Sequence, residues 1–121
     1  MRRKVGELVP LETAICLSAA DLLRRDIDEF HGYEIARHLA DVADRRLLTA
    51  YGTLYRALGR LEKMGLLRSR REDPEIAARE NRPGRRLYTL TAEGEAVARE
   101  ARQAAKAAGR ARRRLVPARQ T

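Results

Sequence analysis

The sequence predicts a mainly α-helical fold that carries one small β-wing and ends in a single long helix. Three observations point there. Apolar residues recur at helical spacing in three successive stretches before Gly65. Two short segments that follow, around 66–71 and 85–90, read as strands. Beyond Thr91, a stripe of small apolar residues repeats every 3.5 positions.

At 121 residues the chain has room for one domain, and its core is aliphatic, since it holds no Trp, one Phe and four Tyr. Charged residues make up 36%, and 26 Lys and Arg against 17 Asp and Glu leave a net +9. Such an excess favours an anionic partner, nucleic acid or a membrane surface. The apolar share of 44% is too high for a disordered basic tail. No apolar run approaches the roughly 18 residues of a membrane span, and Glu7 and Pro10 interrupt any leader-like segment. One cysteine, Cys16, forms no intrachain disulfide. A soluble cytoplasmic protein is expected. Its charge is segregated: from Asp21 to Asp44 seven acids face three arginines, net −4, so the remainder carries +13. That excess clusters at 2–4, 68–71, 82–86 and 110–114.

Leu11, Ala14, Ile15, Ser18 and Leu22 mark one face of a first helix that opens near Pro10. Cys16 falls inside it as a small buried hydrophobe, with no partner base to make it a reactive thiol. Asp26-Ile27-Asp28-Glu29 reads as a loop, and Gly32 lets the chain turn tightly into a second helix containing Tyr33, Ala36, Leu39, Ala40 and Ala43. The third helix starts near Thr49, its N-cap. Steps of about 100° place Ala50, Leu54, Ala57, Leu58 and Leu61 on one side. Thr49, Gly52, Thr53, Arg56, Arg60 and Lys63 fall on the other. That division suits a groove-entering helix and an ordinary amphipathic surface helix equally.

Gly65 ends the third helix as a C′ glycine. Between the two strands lies a polar, mobile connection over 72–84, in which Asp73-Pro74 starts a helical turn through Ile76 and Ala78. Thr91 caps the last helix, which runs to about Leu115 with Pro117 beyond. Its stripe of Val97, Ala101, Ala104, Ala108, Ala111 and Leu115 alternates by four and three, as a coiled-coil seam does. Self-association through this seam is favoured over a helix folded back on its own domain. Alanine lets helices approach closely but buries little area, so the seam needs help from other surfaces.

Helix, helix, helix, wing and long helix is the order of a winged helix-turn-helix with an appended dimerisation helix. Residues 1–90 are expected to form the DNA-binding domain, 91–116 the dimerisation helix and 117–121 a tail. Four blocks add detail. They are Leu11-Glu12 with Ile15; His31-Gly32-Tyr33-Glu34-Ile35; Gly52-Thr53-Leu54-Tyr55-Arg56-Ala57-Leu58-Gly59-Arg60-Leu61-Glu62-Lys63-Met64-Gly65-Leu66-Leu67; and Gly84-Arg85-Arg86-Leu87-Tyr88-Thr89-Leu90-Thr91-Ala92-Glu93-Gly94. In these blocks the chain resembles the PadR family of bacterial transcriptional regulators, in its short form with a single C-terminal helix. The resemblance implies that Thr53, Tyr55 and Arg56 contact operator DNA, with Gly52 admitting the backbone to a phosphate. Arg56 and Arg60 either read guanine or bind phosphate. Arg2, Arg3, Lys4, Lys63, Arg70, Arg71, Arg85 and Arg86 would flank the helix as phosphate clamps or minor-groove probes.

Other chemistries are weaker. His31, Glu34 and His38 stand at i, i+3 and i+7, whereas zinc on a helix prefers histidines at i and i+4, and no further ligand cluster accompanies them. His31 is expected at a helix start and His38 on a solvated face. No metal or cofactor is expected, and no catalysis. A winged helix used to bind protein, or an architectural DNA coat without sequence preference, is the alternative. Arg56 and Arg60 argue against the first, while charge alone gives affinity for any duplex. The Arg-rich last helix lacks the large apolar residues that a membrane surface would take up. A homodimeric, sequence-specific repressor of a pseudo-palindromic operator is therefore the expectation. No feature identifies a small-molecule effector.

Overall fold

Val9 holds extended backbone, φ −71 and ψ 156, and Pro10 then opens helix α1 (Pro10–Arg24) in the computed structural model, which describes residues 7–42 and 51–115. Proline suits a first turn because the N–H it lacks would have no helical partner there. Glu12 reaches back, so that the Val9 amide donates to its Oε1 at 3.1 Å. The helix closes with Asp26 in the left-handed region, φ 64, and the Ile27 amide on the Leu22 carbonyl.

A two-residue strand β1 (Phe30–His31) follows. The sequence does not announce it, because two residues show no alternation. His31 then doubles as the cap of α2 (Gly32–Val42): the Glu34 amide donates to its Nδ1 at 3.3 Å, and its own amide donates to Glu34 Oε1 at 3.1 Å. This is a capping box with an imidazole as the cap. Burial holds that imidazole below its ordinary value of 6.5, aided by Arg85 and Arg82 and opposed by Glu34. The neutral ring keeps the acceptor that the cap requires.

Helix α3 (Tyr51–Lys63) turns its apolar side fully inward: Leu54, Ala57, Leu58 and Leu61 are all 0% exposed. Gly65 ends it at φ 78, a conformation that costs other residues a Cβ clash. Strand β2 (Leu67–Arg71), helix α4 (Pro74–Arg79) and strand β3 (Arg86–Leu90) make the wing. The sheet runs β1-β3-β2, wholly antiparallel, with Tyr88 opposite both Phe30 and Ser69. Phe30 and Tyr88 stack at 6.0 Å and tie the sheet to a core of Ile15, Ile35, Leu54, Leu58, Leu61 and Leu66. Each such side chain contributes about 1.5–3 kcal/mol by leaving water. Cys16 lies in this core, its thiol pushed up to about 12, chiefly by burial and then by Glu12.

The connection expected to be mobile is ordered instead. Asp73 Oδ1 accepts from the Glu75 amide at 3.0 Å, and the turn that this cap starts continues for six residues as α4. Arg82 returns the chain by gripping both oxygens of Glu72 at 2.7 Å, so the base of the insert is clamped by a bidentate ion pair.

Helix α5 (Ala92–Leu115) is welded to the end of α3. Thr91 Oγ1 donates to the Gly65 carbonyl at 2.7 Å while accepting from the Gly94 amide at 3.0 Å. A side chain at Gly94 would collide with the Leu66 carbonyl and the Leu90 side chain. Beyond this point α5 packs on α1, and the predicted stripe divides. Val97 and Ala101 turn towards their own domain, whereas Ala104, Ala108 and Ala111 are exposed. Arg102 ties this contact at the Asp21 carboxylate, 3.4 Å away. The Leu115 side chain, Pro117 and the rest of the tail lie outside the described residues.

Candidate nucleic-acid interface

Opposite its buried side, α3 presents Gly52, Tyr55, Arg56 and Lys63 to solvent, with Thr53 and Arg60 half-buried in the same surface. Arg56 Nη2 donates to Thr53 Oγ1 at 3.4 Å, one turn back along the helix. Lys63 meets no carboxylate among the described residues. Arg60 differs from both. Its Nε donates to Glu12 Oε2 at 2.6 Å, so a cation expected to stand clear of the fold is joined to a fully buried acid on α1.

The start of α2 adds to this surface. Gly32 does not need its conformational freedom, since among the described glycines only Gly65 has a positive φ. What it supplies is room: a Cβ there would lie 2.5 Å from Tyr55 Oη and 2.6 Å from Tyr55 Cζ. The Tyr55 ring rests against the first turn of α2, while 48% of the residue remains exposed. Beside it Tyr33 is 51% exposed, stacked on His31 at 6.3 Å, with the Arg37 guanidinium 5.8 Å from its ring centroid. On the sequence, Tyr33 falls among the apolar residues of the second helix and offers its ring to the core, and Arg37 is not singled out; the structure corrects this, with both exposed. Their i, i+4 spacing was the available signal, since it sets an arginine over an aromatic ring.

Not all the wing cations are available. Arg70 donates through Nε and Nη2 to both oxygens of Glu29, at 2.6 and 2.7 Å, and so fastens β2 to the acidic loop after α1. Hydrogen bonds from Arg82, then its charge together with that of Arg85, hold Glu72 well below its ordinary value, at about 2. Arg71 and Arg85 have no carboxylate partner through their side chains among the described residues. Arg86 Nη1 donates to Ser69 Oγ at 2.9 Å, which leaves it a neutral partner.

The structure thus brings Gly52, Thr53, Tyr55, Arg56, Arg60 and Lys63 together on α3. Arg71, Arg85 and Arg86 lie on the wing, and Arg70 is diverted into an ion pair. Arg2, Arg3, Lys4 and Thr49 lie outside the described residues. His38 corrects the sequence reading: it is buried, 8% exposed, and neither ring nitrogen has a hydrogen-bond partner among the described residues. Its place between Ile35 and Leu39 puts it at the edge of the core-facing side of α2.

No described helix is long and apolar enough to cross a membrane. No curated protein matches the chain. A crystal structure of a PadR family transcription regulator from hypervirulent Clostridium difficile is similar, with a TM-score of 0.66 and 22% identity over 85% of this chain and 98% of that one. At that identity the likeness is one of fold, and it is the fold derived above. The family pattern described as transcriptional regulator PadR-like matches residues 21–100, from the end of α1 through α3 and the wing into α5. With well over half of its length accounted for in this way, the chain belongs to the PadR-like family of transcriptional regulators.

Proposed function

We propose that this regulator is a repressor that binds a pseudo-palindromic operator as a homodimer, α3 of each subunit entering the major groove. The observation that carries the proposal is that α3, backed by four fully buried apolar residues, holds Arg56 and Lys63 exposed and without a carboxylate partner among the described residues, on the same surface as Tyr55. An α-helix of this width fits the major groove, where bidentate arginine contacts distinguish guanine. Arg71, Arg85 and Arg86 on the wing, with Tyr33 and Arg37 on α2, meet the flanking phosphates, as the first helix of such a motif does. The second subunit joins through the exposed part of the stripe, Ala104, Ala108 and Ala111. Half-sites then lie about 34 Å apart.

Footprinting over the promoter of the protein's own gene, in excess random duplex, tests the proposal. Protection confined to one two-fold-related site supports it; protection abolished by random DNA indicates a coat instead. Arg56→Ala should weaken binding at that site by roughly tenfold or more while circular dichroism is unchanged. Replacing Ala104 and Ala108 by Glu should give monomers by light scattering, and with the half-sites unlinked, operator affinity should fall as well. Dimers that persist in this variant would remove the seam from the proposal.

A further inference from the structure

A fully buried carboxylate stands directly behind the exposed surface of α3. Glu12 is 0% exposed, and its oxygens face in two directions: Oε1 accepts from the Val9 amide at 3.1 Å and Oε2 from Arg60 Nε at 2.6 Å. Burying a carboxylate is costly unless charged or backbone donors meet it, and here both kinds do. The Arg60 side chain is not buried with it: 42% remains exposed. A guanidinium has five N–H donors in one rigid plane, so four remain on the Nη nitrogens after Nε is given to Glu12.

Position decides what those donors meet. Arg60 lies on the border of the exposed face, where α3 leans on α1, while Gly52, Arg56 and Lys63 lie nearer its middle. A helix in the major groove sets its middle against the base edges and its borders against the phosphate rims.

We propose that Glu12 is a positioning residue for DNA recognition, aiming the Arg60 guanidinium from within the core so that its Nη edge grips a phosphate at the groove rim. The inference rests on the placement of α3 in the major groove proposed above. Because one edge of the guanidinium is already held, little rotamer freedom is left to lose on binding, which is the advantage of preorganisation. The pair, 48 residues apart in the chain, also fixes the roll of α3 about its axis against α1.

The test uses the full chain and a fluorescent duplex carrying the footprinted site, with affinity measured by anisotropy across a salt series. In the double variant Glu12→Leu with Arg60→Met, apolar side chains of similar size replace the buried pair, an exchange that folds tolerate well. This variant should keep wild-type helicity and dimerisation, bind about five- to tenfold more weakly, and lose about one unit of the log–log salt slope. Glu12→Gln keeps the Arg60 charge with a weaker hold, so it should lose about threefold in affinity with the slope nearly intact. Arg60→Lys should bind more weakly than the wild type, because an ammonium lacks the rigid planar fork that gives one edge to Glu12 and the other to a phosphate. Wild-type affinity and slope in the double variant, or unchanged binding by Glu12→Gln, would overturn the inference. If the double variant does not fold, Glu12→Gln and Arg60→Lys decide it alone. Failure of the wild-type protein to protect any site would count against the placement of α3 instead.

Discussion

On α3, Leu54, Ala57, Leu58 and Leu61 are fully buried and Arg56 and Lys63 stand out to solvent; in the wing insert, Ala77 is the buried apolar residue and Arg82 is drawn in to 16% exposure between two acids. Both regions are rich in arginine, yet they use it differently. The helix is held by apolar burial, which has no charge to screen or titrate. That leaves its cations, apart from Arg60, unspent. The wing has little apolar surface to bury, so Arg82 with Glu72 and Arg70 with Glu29 hold it in place. Proximity of an arginine to the interface is therefore a poor guide to whether it meets DNA. The number to read is how many of its donors are already taken.

The comparison can be broken in three ways, beginning with the largest effect. Leu58→Ala should cost about 3 kcal/mol through lost burial and a residual cavity. In a chain of this size that is roughly 10 °C in Tm. The loss should be the same at low and high salt in a thermal melt. A loss that varies strongly with salt would mean that ion pairs, not apolar burial, anchor α3.

A smaller and more local effect is expected at the wing. Glu72→Gln should speed hydrogen exchange across 74–79 while leaving the α3 amides as protected as before. Acid should mimic this substitution. The Glu72 carboxyl is held down at about 2 against an ordinary 4.5, so its contribution is complete above pH 4.5 and disappears as the pH falls towards 2. Wing amides should therefore lose protection over that window before those of α3. Simultaneous loss would show that the two regions open as one unit.

The smallest effect concerns the unspent cations of the wing. Arg71→Ala and Arg85→Ala should each lower the log–log salt slope of binding by about one, and weaken specific and random duplex alike. Arg70→Ala should leave the slope nearly unchanged, because its guanidinium already serves Glu29. A drop of about one for Arg70 would mean that the ion pair opens on DNA.

What the sequence makes legible follows the range of the interaction. Pro10, Asp73, Gly65 and Thr91 act within three or four residues of themselves, and each marks an element boundary at the place its chemistry suggests. Helical periodicity likewise sorts Leu54, Ala57, Leu58 and Leu61 from Arg56 and Lys63. Contacts between distant segments are another matter. Glu12 with Arg60 and Glu29 with Arg70 join partners 48 and 41 residues apart, and no local pattern in a single chain pairs them. The same holds for β1, which exists only because β3 lies beside it, and for His38, whose burial depends on its neighbours in space. The stripe on α5 was visible as a repeat, but the repeat does not say that its first turns face α1.

The junction at Thr91 and Gly94 has a consequence for operator choice. With one hydroxyl shared between the end of α3 and the cap of α5, and no space for even a methyl group between α5 and the Leu66 carbonyl, α5 and α3 form one stiff piece. In the proposed dimer, two such pieces joined along α5 would work as a caliper set to a single opening. Inserting or deleting one base pair at the dyad turns one half-site relative to the other by about a tenth of a helical turn. A hinged protein would follow that rotation, whereas a dimer built on this junction would resist it.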